Sequence, residues 1–573
     1  MKKAFLILFS FTLAACSSIK SLPLTKPTGE IEIYDIQGCA HQSPYMYQSV
    51  KNVQGVVTWK IDNGFFIQST QPDEKACSSE GIFVFTSTYP SVLPGDLVSV
   101  SGKVKEFFPG AESDNNLSIT EIVVDQYEVL SSANPLPEPT LVGDAMPGQI
   151  IEDDAFSQFD PSSDGLDYWE SLEGMLIEVV DARVVEARNT YGEIVVIPGS
   201  VAESNLISQT GALVQTSSDL NPERIFVELP KSYKKDINLG SYFTAPIIGV
   251  LDYEYGNFRI LEQNTPEVSK LAVQTLKLDA ANDSELRVTT YNLENWSRFD
   301  EDRTQKFAKD IVSSLASPDL LMLQEVQDDS ATEDDGVTSA KKNLSALINA
   351  ISNRNGPEYS YFEVDPKDGA SGGQSGANIR SVLLYRTDRV SFLKGYKLSD
   401  LGVNDSLFNG GRDPLMASFE FAGQKVILVG IHLVSNNLNT PLFGAVQPIQ
   451  KPEEDKRIRQ AENVVSLTQT LLEKNPQANL IVLGDFNDVS GSDTINTFMQ
   501  AGFENPFDEY TQSERYSTIY EGNAQQFDQI LVLPNSSALV MNGTILHLNT
   551  GISERNQTSD HDPVLLDLKF LKK

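Results

Sequence analysis

The apolar runs of this 573-residue chain change rhythm near Glu285, and that change limits what the chain can fold into. Upstream, short β-branched and aromatic runs such as "GVVTWKIDNGFFIQ", "GIFVFTS" and "GDLVSVSGKVKEFF" are separated by Gly, Asn and Asp turn signals. That spacing predicts a small β-barrel over residues 30–132. The Pro-rich stretch "SSANPLPEPT" cannot continue a sheet, so a linker is expected over 133–165. A second β-rich unit is expected over 166–270, through "MLIEVVDARVVEA", "RIFVELP" and "YFTAPIIGVLDYEYGNFRIL". Downstream, over 285–573, strands alternate with helices. In "DRTQKFAKDIVSSLAS", Phe307, Ile311 and Leu315 recur every fourth residue, and "PDLLMLQEV" follows as a short apolar strand. This alternation predicts an α/β domain, and three units suit a chain too long for one core.

Residues 1–16, "MKKAFLILFSFTLAAC", start with Lys2 and Lys3, run through a short apolar core and end in small residues before a cysteine, the pattern of an export signal. Leu13-Ala14-Ala15-Cys16 resembles a bacterial lipobox, which implies lipidation of Cys16 and a membrane anchor; a plain signal peptide is the alternative. Ser17 resembles the residue that follows the cysteine in outer-membrane lipoproteins. The expected location is therefore the outer membrane, or else the periplasm or cell exterior. Cys39 and Cys77 remain as an even pair in an exported chain, for which a disulfide is the default and two free buried thiols the alternative. A formal charge of −35 disfavours indiscriminate binding of polyanions, so any nucleic acid must be held locally. No protein partner is evident, and a monomer is expected.

Within the α/β region most strands run apolar and then end in, or begin with, a polar residue. Asn292 and Glu294 follow the first strand, Glu325 ends the second, and His432 lies in "GIHLVS". Asp485 and Asn487 end "VLGDFN", Asp528 opens "FDQILV", and Asp560 with His561 open the last strand. Each alone reads as a turn former or a satisfied polar residue. The joint pattern is harder to explain that way.

Asn292, Glu325, His432, "GDFN", Asp528 and "SDH", in that order, resemble the endonuclease/exonuclease/phosphatase superfamily. The resemblance covers half of the chain and implies a DNase I-like four-layered α/β (α+β) sandwich that hydrolyses phosphodiester bonds. "DGASGGQSGANIRSVLLYRTDRV", "TPLFGAVQP", "RYSTIYEGNAQQFDQILV" and "SDHDPV" look like bacterial secreted nucleases with N-terminal OB-like modules. The Gly-Asp turn before "LVSVSGKV" resembles such an OB-fold, and both N-terminal units are expected as OB-like barrels. Two departures stand out: "VSNN", Val434 to Asn437, where the pattern has a basic residue, and Gln529 where it has His.

Phosphodiester hydrolysis needs water brought to phosphorus, charge neutralised on its oxygens and a stabilised leaving oxygen. Oxygen ligands suit Mg²⁺ or Mn²⁺, which take only one or two protein carboxylates. Glu325 is the first candidate ligand, with Asn292 and Asp560 orienting the ion. Asp485 and Asn487 stand two apart on an extended segment, so they point to one side. The resemblance makes Asp485 the group that orients or deprotonates water and Asn487 a donor to the phosphate. His432 and His561 are expected to flank the phosphate, with Asp528 behind His561; no carboxylate partner for His432 is obvious. Glu294 and Arg380 are expected near substrate, and Tyr385 either there or in the core.

The helix start "KRIRQ" (Lys456, Arg457, Arg459) is the best basic cluster for a substrate rim, and "SGGQSGANIR" is either a phosphate cradle or a surface loop. "DDSATEDDG", Asp328 to Gly336, could hold a structural Ca²⁺ but lacks EF-hand spacing. Phe65, Phe66 and Phe83 could stack bases, though strand spacing favours core. His41 has no evident partner, His547 is expected to pack structurally, and Asp562-Pro563 reads as a turn. The expected function is an exported metal-dependent nuclease acting on DNA, with RNA as a further substrate, harvesting phosphate and nucleotides. The alternatives are a phosphodiesterase or phosphatase on lipid headgroups or small phosphoesters, and a non-catalytic surface binding protein.

Overall fold

A computed structural model of the chain describes residues 31–570, apart from 74, 112–113, 203–205, 263–266, 270–275, 402–406, 409–411 and 535–538. The expected export signal and its lipidation site Cys16 lie outside the described residues. The first unit is a closed barrel of Ser49–Ile61, Gly64–Gln68, Gly81–Phe85, Ile119–Ser131 and Leu97–Phe107, in that order around the ring. Its first hairpin closes at Asp62-Asn63, with Ile61 paired to Gly64. Phe65 and Phe66 are buried, and Phe83 packs against Phe66 with ring centroids 4.9 Å apart. Phe65 and Phe66 are core, and Phe83 is half-buried against Leu176 and Val250 of the second unit's sheet. Cys39 and Cys77 are joined in a disulfide.

The second unit is a nine-stranded sheet that reaches from Thr140–Leu141 at one edge to Val268–Ser269 at the other. It encloses a core of Trp169, Val184, Val196, Ile225 and Phe258. The expected linker is shorter than 133–165. Thr140 and Leu141 pair in parallel with Ile177 and Glu178, and Val142, Met146 and Ile151 enter the same core. The preceding prolines are tolerated because this strand is an edge.

The C-terminal domain stacks two sheets. One is ordered Tyr359–Glu363, Arg380–Arg386, Leu320–Val326, Glu285–Trp296, Val564–Phe570 and Leu539–Ile545. The other is ordered Ser391–Tyr396, Leu415–Phe421, Gln424–His432, Asn479–Asp485 and Asp528–Leu533. Alternate residues of each central strand face opposite layers, so the strands must be apolar on both faces. Leu320, Met322, Ile481 and Leu483 meet in the core between the sheets. Leu321 and Leu323 instead pack on the helix Glu301–Lys309 with its π-turn continuation Asp310–Ser314, and on the helix Lys341–Asn353. Leu480 and Val482 pack on the helices Glu454–Lys474 and Asp493–Gln500. The result is the four-layered α/β sandwich that the resemblance implies.

The N-terminal units do not hang free of this sandwich. The Tyr253 hydroxyl donates to the Phe443 carbonyl at 2.7 Å, and Phe443 joins the second unit's core. Asn116 of the first barrel bridges Gly444, while Val214 of the second unit bridges Ala524. Asn221 donates to the Asn523 side chain at 2.7 Å.

Candidate active site

Strand direction collects the polar ends at one mouth. The Asn292 and Glu325 strands are parallel, as are the His432 and Asp485 strands, so their C-terminal ends coincide. The strands opening at Asp528 and Val564 are antiparallel to these and contribute their N-terminal ends. In the second sheet His432 pairs with Asp485 and Asp485 with Asp528, which sets three functional groups in one row. Gly484 permits the close approach: its φ is +141°, and a Cβ there would run into the Ile431 carbonyl.

In the first sheet the ladder is broken where the chemistry begins. Register shifts fall between Asn292 and Trp296 and between Leu323 and Val326. Glu294, Asn295 and Glu325 have φ of +49°, +51° and +58°, left-handed conformations that cost of order 1–3 kcal/mol each for ordinary residues. The distortion turns Glu325 into the mouth, where its Oε2 accepts from the Asn295 amide at 2.9 Å. Asn292 Nδ2 lies 3.2 Å from Glu325 Oε1 and 3.1 Å from Asp485 Oδ2. Asp485 is 2% exposed, and burial foremost, with Asp528 and Glu325 adding to it, pushes its carboxyl up to about 7 against the opposing pull of His561.

The two imidazoles are held in opposite states. His432 Nε2 is 3.7 Å from both Glu325 Oε1 and Asp485 Oδ2 and 2.8 Å from Arg412 Nη1. Burial, followed by the Arg412 charge, holds His432 well below the usual imidazole range. With Arg412 donating, Nε2 is an acceptor and the ring is neutral. His561 is also buried, which alone would lower its pKa, but Asp528 and Asp560 raise it well above that range. Its Nδ1 is 2.6 Å from Asp528 Oδ2, which also accepts from Ser517 Oγ at 2.8 Å. Ser559 Oγ donates to the Asn292 carbonyl at 2.8 Å and accepts from the His561 amide at 3.2 Å, tying the last strand to the first.

Asn487, at φ +51°, donates its Nδ2 to the Leu433 carbonyl at 3.0 Å, and its amide donates to Asp485 Oδ1 at 2.8 Å. Ligand atoms of Glu325, His432 and Asp485 lie within 4.8 Å of one another. Asp560, expected with Glu325 at a metal, is not in that group. It is exposed at the rim, where Glu294 is exposed as well, its Oε2 3.5 Å from Arg303 Nη2.

Other expectations are corrected by packing. Arg380 is 3% exposed and bonds Glu363 at 3.3 Å, Asp365 at 3.1 Å and the Asn378 carbonyl at 2.9 Å, so its charge is spent within the fold. Tyr385 pairs with Leu320, at the end of the Glu325 strand remote from Glu325, and stacks on Phe392 with centroids 5.4 Å apart. Arg457 is buried against Asp488 at 3.0 Å and Lys456 pairs with Glu453 at 3.1 Å, so of "KRIRQ" only Arg459 is exposed without a carboxylate pair among the described residues. Asn378, at the end of the Gly-rich loop, donates to Asp328 and to the Val337 carbonyl, each at 3.0 Å, and the Ser371 carbonyl at its start accepts from Arg412 Nε at 3.0 Å. The acidic run 328–336 does not gather three ligands among the described residues. Asp562 is buried rather than a simple turn residue, accepting from the Asn549 amide at 2.7 Å and lying 3.0 Å from His547 Nδ1. His41 does have a partner, Asp167.

Arg412 and Ser517 escaped the sequence reading. Arg412 precedes the strand Leu415–Phe421, which is antiparallel to the His432 strand and so opens at the same mouth. The rule that singled out Asp528, a polar residue before an apolar run, applies to it equally.

A family model described as "Endonuclease/Exonuclease/phosphatase family" matches residues 289–561, and one described as a domain of unknown function matches residues 129–271. No curated protein matches the chain. Among solved structures, humanized D. rerio TDP2 is similar at 19% identity over 50% of this chain and 99% of that one, with a TM-score of 0.36. The human Nocturnin catalytic domain with bound sulfate anion is similar at 17% identity over 52% and 97%, with a TM-score of 0.36. The endonuclease/exonuclease/phosphatase from Bacteroides vulgatus is similar at 17% identity over 50% and 99%, with a TM-score of 0.34. Scores this low carry no argument about chemistry, which rests on the residues themselves. The C-terminal domain of this chain, matched from residue 289 to residue 561, belongs to the endonuclease/exonuclease/phosphatase family and has its DNase I-like fold.

Proposed function

We propose that the chain is an exported, divalent-metal-dependent phosphodiesterase that cleaves DNA. The observation that carries the reading is the pair of imidazoles at one strand mouth, His561 charged on Asp528 and His432 neutral beside Arg412, with Glu325 and Asp485 alongside. The donor set fits a hard cation: the carboxylates of Glu325 and Asp485 lie together at the mouth, both oriented by the Asn292 Nδ2 that bridges them. Glu325 and Asp485 would hold Mg²⁺ or Mn²⁺. When bound, the ion supplies positive charge at the phosphate and leaving oxygens.

The chain's own residues do the rest. His561, kept protonated by Asp528, donates from Nε2 to a phosphate oxygen. Asp485 orients the attacking water beside the phosphate. Asn487 has a second amide hydrogen left for phosphate after bonding Leu433. Arg412 adds charge on the side opposite His561. The Cys39–Cys77 disulfide supports an oxidising compartment and thus export.

The test incubates the purified lipid-free chain with supercoiled plasmid and Mg²⁺, beside a Glu325→Ala variant and a chelated control, with RNA, a sphingomyelin vesicle and p-nitrophenyl phosphodiesters as parallel substrates. Intact plasmid under Mg²⁺, Mn²⁺ and Ca²⁺ overturns the nuclease reading. Cleavage indifferent to Glu325→Ala overturns the site.

A further inference from the structure

Outside the catalytic domain, the segment 152–167 folds four carboxylates against His41 of the first unit. One ligand atom each of Asp160, Asp164 and Asp167 lies within 4.8 Å of the other two, and the same holds for His41, Glu152 and Asp167. Asp167 is fully enclosed, its Oδ1 2.6 Å from His41 Nε2 and its Oδ2 accepting from the Asp160 amide at 2.6 Å. Asp164 is 1% exposed, yet neither of its carboxylate oxygens completes a hydrogen bond, although the Asp153 amide leans toward it. Asp160 Oδ1 and Glu152 Oε2 are likewise buried and unpartnered. Among the described residues the only ion-pair partner of these four carboxylates is His41.

A buried carboxylate without donors is unfavourable unless it is protonated or bound to a cation. We propose that Glu152, Asp160, Asp164 and Asp167 form a structural Ca²⁺ site that fastens the 152–167 segment of the second unit against the His41 loop of the first. Ca²⁺ takes six to eight oxygens in irregular geometry, which suits carboxylates spread along a bent segment. Mg²⁺ demands a stricter octahedron, and Zn²⁺ prefers more than the single imidazole available. His41 sits edge-on to Phe156 and Phe159, with centroids 4.7 and 5.1 Å away. A cation on Asp167 therefore also fixes two rings that lie between the units.

The test uses the full chain, purified with chelator and carrying Glu325→Gln to remove the active-site carboxylate. It is titrated with Ca²⁺ by calorimetry and with Tb³⁺ by luminescence excited through Tyr168 and Trp169. One equivalent of Ca²⁺ is expected, with a rise in Tm that millimolar Mg²⁺ does not reproduce. Asp160→Asn combined with Asp164→Asn should weaken binding at least 100-fold, whereas Asp328→Asn should leave it unchanged. If the double variant fails to fold, Glu152→Gln alone should weaken binding about tenfold. The proposal is overturned by absence of Ca²⁺ uptake, by uptake indifferent to these substitutions, or by uptake of Zn²⁺ but not Ca²⁺.

Discussion

His561 Nδ1 lies 2.6 Å from Asp528 Oδ2, a contact enclosed between the last strand and the one that opens at Asp528. It joins residues 33 apart in sequence and keeps the imidazole charged although burial opposes the charge. Because the folded pKa of His561 is raised, the stability it adds is complete below the unfolded value near 6.5. That stability is lost as pH climbs through the folded value. Donation to phosphate is lost over the same alkaline range.

Asp528→Asn should therefore move the alkaline limb of kcat/KM to lower pH and reduce the rate at pH 8 by about 10²- to 10³-fold. A pH–rate profile of wild type and variant on plasmid DNA checks this. An unmoved limb would assign the charged donor elsewhere.

Metal affinity should depend on pH through Asp485. Its carboxyl is raised to about 7 in the metal-free chain, so below that value a proton occupies a ligand and must leave when the ion binds. Apparent Mg²⁺ affinity should fall about tenfold between pH 8 and pH 6 and level off above pH 8. Calorimetry in two buffers of different ionisation enthalpy reads the released proton directly.

Gly484→Ala should destabilise the domain by about 3 kcal/mol or more, because the added methyl meets the Ile431 carbonyl at a φ of +141°. Denaturant midpoints measure the loss. The surviving folded fraction should also turn over more slowly, since His432 and Asp485 are set by that strand pair.

Arg380→Met should behave as a structural change. Removing this buried cation leaves Glu363 without its partner, at a cost of about 3 kcal/mol. Tm should drop while KM for DNA stays within twofold of wild type. A raised KM with unchanged Tm would return Arg380 to the substrate.

The α/β domain was legible because a strand buried on both faces must be continuously apolar, so a polar residue at its end is conspicuous. Asn292, Glu325, His432, Asp485, Asn487, Asp528 and His561 stood out for that reason, and the fold brings them to one mouth. Arg380 misled because a strand can place its polar end at the mouth while the side chain turns into an ion pair, whereas Tyr385, at the far end of the same strand, took the core position that the sequence had left open for it.

Local order along the chain determined the layers, the element types and the set of chemically able residues, because periodicity and strand-end polarity are short-range properties. Tertiary structure alone decided which carboxylate meets which imidazole. It turned Glu325 inward through a bulge at positive φ, set Arg412 beside His432, left Asp560 at the rim, and gave His41 the carboxylate of Asp167. Those pairings span tens to hundreds of residues. They depend on burial and on the direction of neighbouring strands, which no single segment carries.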